Sequence, residues 1–282
     1  METQPTFFRT RQGLAIATDI EGPQDGSPVI FLHGGGQTRH SWGKAVRLLG
    51  EAGFRPITVD LRGHGDSDWA PDGDYGVDGM VEDLKDLITQ VGGRPALVGA
   101  SMGGVTALIA QGEQPTLARA LVLVDIVPRI EMEGVEEIRA FMTSAPDGFA
   151  SVEEAADAVA EYLPHRPRRS GGKGLLKNLR LRENGRYYWH WDPALLSPER
   201  KGPEAIRKRL ENAARAISVP TLLIRGGLSR IVSREGVKAF QQLIPHAGFV
   251  NIDKADHMVA GDANDDFNAP LIGFLKETAD AA

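Results

Sequence analysis

Residues 97–104 read Leu-Val-Gly-Ala-Ser-Met-Gly-Gly, and the five from Gly99 to Gly103 fit the pattern G-x-S-x-G. Alone the pattern is weak, because glycine and serine are common. Its setting is more specific. The apolar run Ala96-Leu97-Val98 leads in, and the helix-forming run Val105-Thr106-Ala107-Leu108-Ile109-Ala110 leads out. Strand, sharp turn and helix are the context that a nucleophile elbow needs, with the serine hydroxyl exposed on the turn. The flanking glycines let the chain turn tightly and let strand and helix approach each other. The bland alternative is a glycine-rich strand–helix turn with an idle serine.

Outward from this stretch, short apolar runs recur at residues 14–18, 29–32, 55–59, 97–100, 121–124, 221–224 and 249–252. Between them lie helix-like patterns at 41–51, 77–91, 104–111, 234–243 and 263–276. Continuous apolar strands suit a parallel sheet covered on both faces. The alternation predicts an α/β fold, a mostly parallel doubly wound sheet. Residues 128–214 break the rhythm. After Pro128 there is no convincing buried strand, and helical patterns run over 134–142, 152–162, 175–181 and 204–214. The basic cluster His165-Arg166-Pro167-Arg168-Arg169 and the loop Ser170-Gly171-Gly172-Lys173-Gly174 interrupt them. The expectation is a core of residues 1–127 and 215–282. Residues 128–214 are then a helical insertion after the sixth strand, over the carboxyl ends of the strands, where open α/β sheets bind their ligands.

Bulk properties narrow the function. The chain has 282 residues, 41% hydrophobic and 25% charged, the balance of a soluble globular protein. A net charge of −6 gives no electrostatic case for nucleic acid or an anionic membrane as main partner. The lack of cysteine excludes disulfides, thiol catalysis and cysteine-ligated metal, and suits a reducing cytoplasm. The first residues carry no basic and apolar signal-peptide pattern. No apolar run approaches the roughly 20 residues of a membrane span. A cytoplasmic location is therefore expected, with the oligomeric state left open.

A serine needs a base to take its proton. With no cysteine and no lysine near the turn, histidine is the natural base. Of seven histidines, His257 stands out. It follows the run at 249–252, within Asp253-Lys254-Ala255-Asp256-His257-Met258, where a loop can carry it to the sheet edge that holds Ser101. His33-Gly34-Gly35-Gly36 follows the run at 29–32. Acyl transfer needs backbone N–H groups aimed at a developing oxyanion, and glycine lets backbone approach substrate. The expected donors are Gly35, or a neighbouring glycine, and Met102, the residue after the serine. His33 reads as a structural loop residue rather than a second base.

At this point the chain resembles the α/β-hydrolase superfamily, as a capped, esterase- or lipase-like member, over nearly its whole length. The matching blocks are Leu32-His33-Gly34-Gly35-Gly36, Asp60-Leu61-Arg62-Gly63-His64-Gly65-Asp66-Ser67, Gly99-Ala100-Ser101-Met102-Gly103-Gly104, Val219-Pro220-Thr221-Leu222-Leu223-Ile224-Arg225-Gly226, and His257. The second block is a structural turn in relatives. The insertion resembles the family's helical cap, in which Tyr188, Trp189, His190 and Trp191 could line a pocket or form cap core.

One element departs from the family. Its triad acid usually follows the run at 221–224, in a stretch resembling Gly-x-x-Asp-x-x-Val. Here Gly226-Gly227-Leu228-Ser229-Arg230-Ile231-Val232 holds no carboxylate, and Ser229 or Arg230 falls at the acid's place, depending on the gap. Asp125, at the end of the run at 121–124, is the best substitute, and certain haloalkane dehalogenases look to that strand for their acid. Asp256 adjoins the histidine and so diverges from it, and Asp253 comes too early. Arg230 could also mark a lost acid.

The expected function is a serine hydrolase cleaving a small carboxylic ester through an acyl-enzyme on Ser101, with His257 as base and Asp125 as acid. No metal or organic cofactor is required. Lactone cleavage, C–C bond hydrolysis, perhydrolysis and elimination are alternatives on the same residues. A small-molecule receptor with a weakened triad is the alternative of another class. Arg166, Arg168, Arg169, Arg180 and Arg182 make the insertion locally basic; an inward one implies an anionic substrate, and a solvated face is the commoner explanation.

Overall fold

A computed structural model describes residues 4–164, 173–197, 202–257, 259 and 265–279. Eight strands form one sheet in the order β1 (Thr6–Arg9), β2 (Ala15–Ile20), β4 (Phe54–Val59), β3 (Ser27–Leu32), β5 (Ala96–Ala100), β6 (Ala120–Val124), β9 (Thr221–Gly226) and β10 (Gly248–Ile252). β1 and β4 each run antiparallel to β2, and from β4 onward every neighbour is parallel. This is the doubly wound α/β sheet that the apolar runs predict.

The apolar runs are continuous because each central strand feeds two cores. In β5, Leu97 packs toward α2 (Val77–Val91) and α3 (Ser101–Glu113), while Ala96 and Val98 pack toward α1 (Gly43–Glu51) and α8 (Asp265–Ala279). β6 divides likewise, Leu121 and Leu123 to one face and Ala120, Val122 and Val124 to the other. Successive side chains point to opposite faces, and both faces are covered. β1 is missing from the sequence reading. It is a four-residue edge strand, largely exposed, too short to show a period.

α3 is apolar almost all round because it lies between the sheet, α2 and α6 (Pro203–Arg215). A Cβ on Gly112 would stand 2.4 Å from the Ala213 carbonyl oxygen, so the two helices touch through a glycine. Leu210, Ala213 and Ala214 are buried in the main core. α6 therefore belongs to the core layer, and the expected boundary at residue 214 extends the insertion one helix too far.

The rest of the inserted segment holds α4 (Met132–Thr143), α5 (Val152–Tyr162), 3-10 turns at Lys173–Asn178 and Pro193–Leu196, and a hairpin of β7 (Leu179–Leu181) and β8 (Tyr187–Trp189). α5 starts where the Ser151 hydroxyl accepts the Glu154 N–H. The pattern at 175–181 reads as a helix, but it is the 3-10 turn followed by β7. Three-residue strands carry too little alternation to register. Tyr187–Trp189 pairs with Leu179–Leu181, and Trp189, Trp191, Phe149 and Ala155 make a separate small core. The basic cluster at 165–169 and the loop at 170–172 lie outside the described residues. Among the described residues no helix is long and apolar enough to cross a membrane.

Candidate active site

Ser101 is the first residue of α3 and stands directly past the carboxyl end of β5. Its φ is 44°, a left-handed conformation that L-residues rarely adopt. The turn that imposes it depends on glycines. A Cβ on Gly99 would meet the Gly103 carbonyl oxygen at 2.5 Å, and one on Gly103 would meet the Leu32 carbonyl oxygen at 2.3 Å. Only bare backbone lets α3 pack this closely on β5 and β3. A Cβ on Gly34 would lie 3.2 Å from Ser101 Cβ, so the 33–36 loop passes against the serine itself.

Asp125 occupies the corresponding place past β6 and has φ 51°. Among the described residues these two are the non-glycine positions with positive φ. The Asp125 side chain is fully buried. A buried carboxylate requires partners, and it has three. Oδ1 accepts the Gly226 N–H at 3.0 Å. Oδ2 accepts the Ser229 hydroxyl at 2.5 Å and lies 2.6 Å from His257 Nδ1. A proton on Nδ1 gives the imidazole a donor toward Asp125 and leaves Nε2 as its acceptor.

The loop carrying His257 lies against the end of β9 because that end is Gly226-Gly227. A Cβ on Gly226 would meet the Asp256 carbonyl oxygen at 2.2 Å, and one on Gly227 would meet the Asp253 carbonyl oxygen at 2.5 Å. Gly227 N–H and Leu228 N–H donate to the Ile252 and Ala255 carbonyls at 2.8 and 2.9 Å. Buried Arg225 spans the two strands, donating to the Val232 carbonyl at 2.6 Å and to Asn251 Oδ1 at 2.8 Å.

Two of the three glycine amides in the 34–36 loop have acceptors. Gly34 N–H donates to Gln37 Oε1 at 3.0 Å, and Gly36 N–H to His64 Nε2 at 3.2 Å. Gly103 N–H, behind the serine, donates to the His33 carbonyl at 3.1 Å. Among the described residues Gly35 N–H has no such acceptor, and a Cβ at Gly35 would face open space. Met102 lies in the first turn of α3, where an N–H has no carbonyl four residues back within the helix.

Three buried histidines seat this loop. His33 donates from Nδ1 to the Gly34 carbonyl at 2.8 Å and accepts the Leu61 N–H on Nε2 at 3.0 Å. His64 donates from Nδ1 to the Arg62 carbonyl at 3.1 Å. His190 accepts the Gly65 N–H on Nδ1 at 2.7 Å, and its Nε2 faces the Gly36 carbonyl at 3.4 Å. Burial holds all three neutral: His33 is lowered to about 4, His64 to about 3, and His190 well below the usual histidine range. Both His33 nitrogens are engaged, so it has no free position as a base.

The inserted segment meets the same loop. Arg180 donates to the Gly65 carbonyl at 2.5 Å and to Asp66 Oδ1 at 2.8 Å. Its guanidinium is thus engaged by the turn at Gly65 and Asp66. Trp191 stacks on Trp189 with centroids 5.0 Å apart, and a Cβ on Gly36 would meet Trp191 and Met142 at 3.3 and 3.4 Å. The aromatic residues of the hairpin therefore form a small core whose edge reaches the glycine loop. Arg182 lies over the Tyr188 ring, 4.0 Å from its centroid.

The structure brings Asp125 to His257, and sets Ser101 at the turn into α3 with Gly34 of the glycine loop against it. Asp253 is engaged by Asn251 Nδ2 at 2.5 Å. Arg230 points away, its guanidinium 2.7 Å from Glu137 and 3.5 Å from Glu133 on α4. Between Ser229 and Arg230, it is Ser229 that faces Asp125. The sequence reading gives Arg225 and Gly226 no role here, and it offers His190 as a pocket or cap-core residue, whereas His190 meets the Gly65 N–H and the Gly36 carbonyl. A buried arginine at a strand end and paired glycines are a signal, but a generic one.

Comparison with known proteins agrees with this architecture. A family model described as the alpha/beta hydrolase fold matches residues 27–263. An esterase of Mycobacterium tuberculosis is 32% identical over 241 residues, covering 83% of this chain and 78% of its own. An sn-1-specific diacylglycerol lipase of Mus musculus is 30% identical over 281 residues, covering 91% of this chain and 83% of its own. The crystal structure of E-2-(acetamidomethylene)succinate hydrolase superposes with a TM-score of 0.84 at 24% identity, over 97% of this chain and all of that one, which speaks to the fold. The relatives are hydrolases, esterases among them, and the chain belongs to the α/β-hydrolase family.

Proposed function

We propose that the chain is a serine hydrolase that cleaves a small carboxylic ester through an acyl-enzyme. The observation that carries this reading is the 2.6 Å contact between His257 Nδ1 and the buried Asp125 carboxylate, one strand away from the strained serine turn. Ser101 Oγ attacks the ester carbonyl carbon while His257 Nε2 takes its proton. The N–H groups of Gly35 and Met102 receive the oxyanion. The imidazolium, steadied by Asp125, then protonates the leaving alcohol as the C–O bond breaks. Water, deprotonated by His257, attacks the acyl carbon and releases the acid, returning the proton to Ser101. Asp125 takes the role that the family usually gives to a carboxylate after β9.

The inserted segment before α6 is proposed as the cap over this site. Support comes from Trp191 and Met142, which stand against Gly36.

A fluorophosphonate probe should label Ser101, and p-nitrophenyl acetate and butyrate should turn over. Ser101→Ala should lose both. A folded wild-type protein that neither labels nor turns over, yet binds small ligands, would sink the enzyme reading in favour of a receptor.

A further inference from the structure

Ser229, one of the two residues that fall where the family keeps its acid, has partners of its own. Ser229 Oγ accepts the N–H groups of Ile231 and Val232 at 3.2 and 3.1 Å. A hydroxyl has two acceptor sites and one proton. With both acceptor sites filled from the backbone, the proton has one direction left, toward Asp125 Oδ2 at 2.5 Å. That oxygen is the one facing His257 Nδ1. Asp125 Oδ1 is held separately by Gly226 N–H at 3.0 Å. The carboxylate is thus fixed at both oxygens, and its plane cannot turn away from the imidazole.

We propose that Ser229 is a positioning residue for the Asp125–His257 pair. It acts through the carboxylate, not on the substrate. Its hydroxyl proton fixes the carboxylate rotation. It also draws charge from Oδ2, so that the proton between the two groups stays on the histidine. Arg225 holds the loop that presents it, through the Val232 carbonyl. This proposal rests on the reading of His257 as base and Asp125 as acid.

The test compares wild type, Ser101→Ala, Asp125→Asn, Ser229→Ala and Ser229→Thr on p-nitrophenyl butyrate across pH. In Ser229→Ala the carboxylate is free to turn off the imidazole, so kcat should fall at least about tenfold, the lower end for losing the charge-assisted Asp125–His257 hydrogen bond, with KM within roughly twofold. With one donor gone the carboxylate is more basic and steadies the imidazolium more. The acidic limb of kcat/KM should therefore move to higher pH. Ser229→Thr keeps the hydroxyl and should restore both.

A serine that merely closes its turn would lower Tm in Ser229→Ala and leave kcat and the limb in place, which overturns the proposal. Activity retained in Asp125→Asn would instead overturn the acid assignment beneath it. A readout independent of turnover is the Nδ1 proton of His257, which should resonate far downfield in water. It should shift in Ser229→Ala and not in Ser229→Thr. An unchanged resonance in Ser229→Ala overturns the proposal whatever the substrate.

Discussion

Ser101 and Asp125 stand in equivalent places on neighbouring strands. Each is the first residue past the register pair Ala100–Val124 of parallel β5 and β6, and each holds a positive φ, 44° and 51°. Backbone strain of this kind persists only where the surroundings over-determine it. At Ser101 the determinants are the close approaches of Gly99 and Gly103 to backbone. At Asp125 they are its N–H bond to the Ile224 carbonyl at 2.8 Å and the three partners of its carboxylate.

The strain is measurable apart from catalysis. Ser101→Gly and Ser101→Ala both remove the hydroxyl, but only glycine is at ease at φ 44°. Glycine also loses more entropy on folding, which offsets part of the relief. Ser101→Gly should unfold in urea with a free energy about 1 kcal/mol above that of Ser101→Ala. Equal stabilities would show that the turn is unstrained.

Asp125→Asn keeps the shape and tolerates left-handed backbone, but it removes the charge that fixes the imidazole tautomer. Its kcat should fall by about 10⁴. Adding Ser229→Asp to that variant returns a carboxylate within reach of the same imidazole. The double variant should recover at least about tenfold of the loss in p-nitrophenyl butyrate turnover, the lower bound for one charge-assisted hydrogen bond.

Acid should loosen the fold through the histidines beneath the glycine loop. In the unfolded chain each takes a proton near pH 6.5, whereas folded His33 waits until about 4 and His64 until about 3. Between these values the unfolded chain binds more protons, so stability present above pH 6.5 is lost as pH falls. The loss is about 1.4 kcal/mol per pH unit for each histidine. Urea unfolding at pH 7, 6 and 5 should show the slope, and His64→Gln should reduce it by about that amount.

Gly226→Ala should be costly in two ways at once. Its methyl would meet the Asp256 carbonyl oxygen at 2.2 Å, forcing away the loop that carries His257. Stability should drop by about 1–3 kcal/mol, as overpacking does, and turnover should collapse with it. Gly35→Ala is the control for folding, since its methyl enters open space and should leave the thermal midpoint near that of wild type.

The parts legible in the sequence are those written in consecutive residues. Strand, turn and glycines around Ser101 lie within a dozen positions, and the apolar runs of β3, β5 and β6 announce a sheet covered on both faces. The place of His257 at the sheet edge beside Asp125 is legible because a loop after the last strand has one edge to reach. Asp125 could be reached only by following strand ends. Ser229 could not be separated from Arg230, because the choice depends on which of them faces β6, 104 positions earlier in the chain. The partners of Arg225 and His190 are hidden because they depend on folding: Arg225 meets the Asn251 side chain of the neighbouring strand, and His190 meets backbone of turns more than a hundred positions away. The β7–β8 hairpin was invisible because its strands are shorter than any period.

The hairpin's attachment bears on how members of this family can be recombined. His190 accepts the Gly65 N–H, Arg180 donates to the Gly65 carbonyl, and Asp192 N–H holds the Gly63 carbonyl at 2.9 Å. The same turn sends His64 to Gly36. A chimera that exchanged this insert for a relative's would therefore not simply trade one substrate preference for another. It would withdraw supports from beneath the glycine loop, so a change of insert should also disturb the position of that loop.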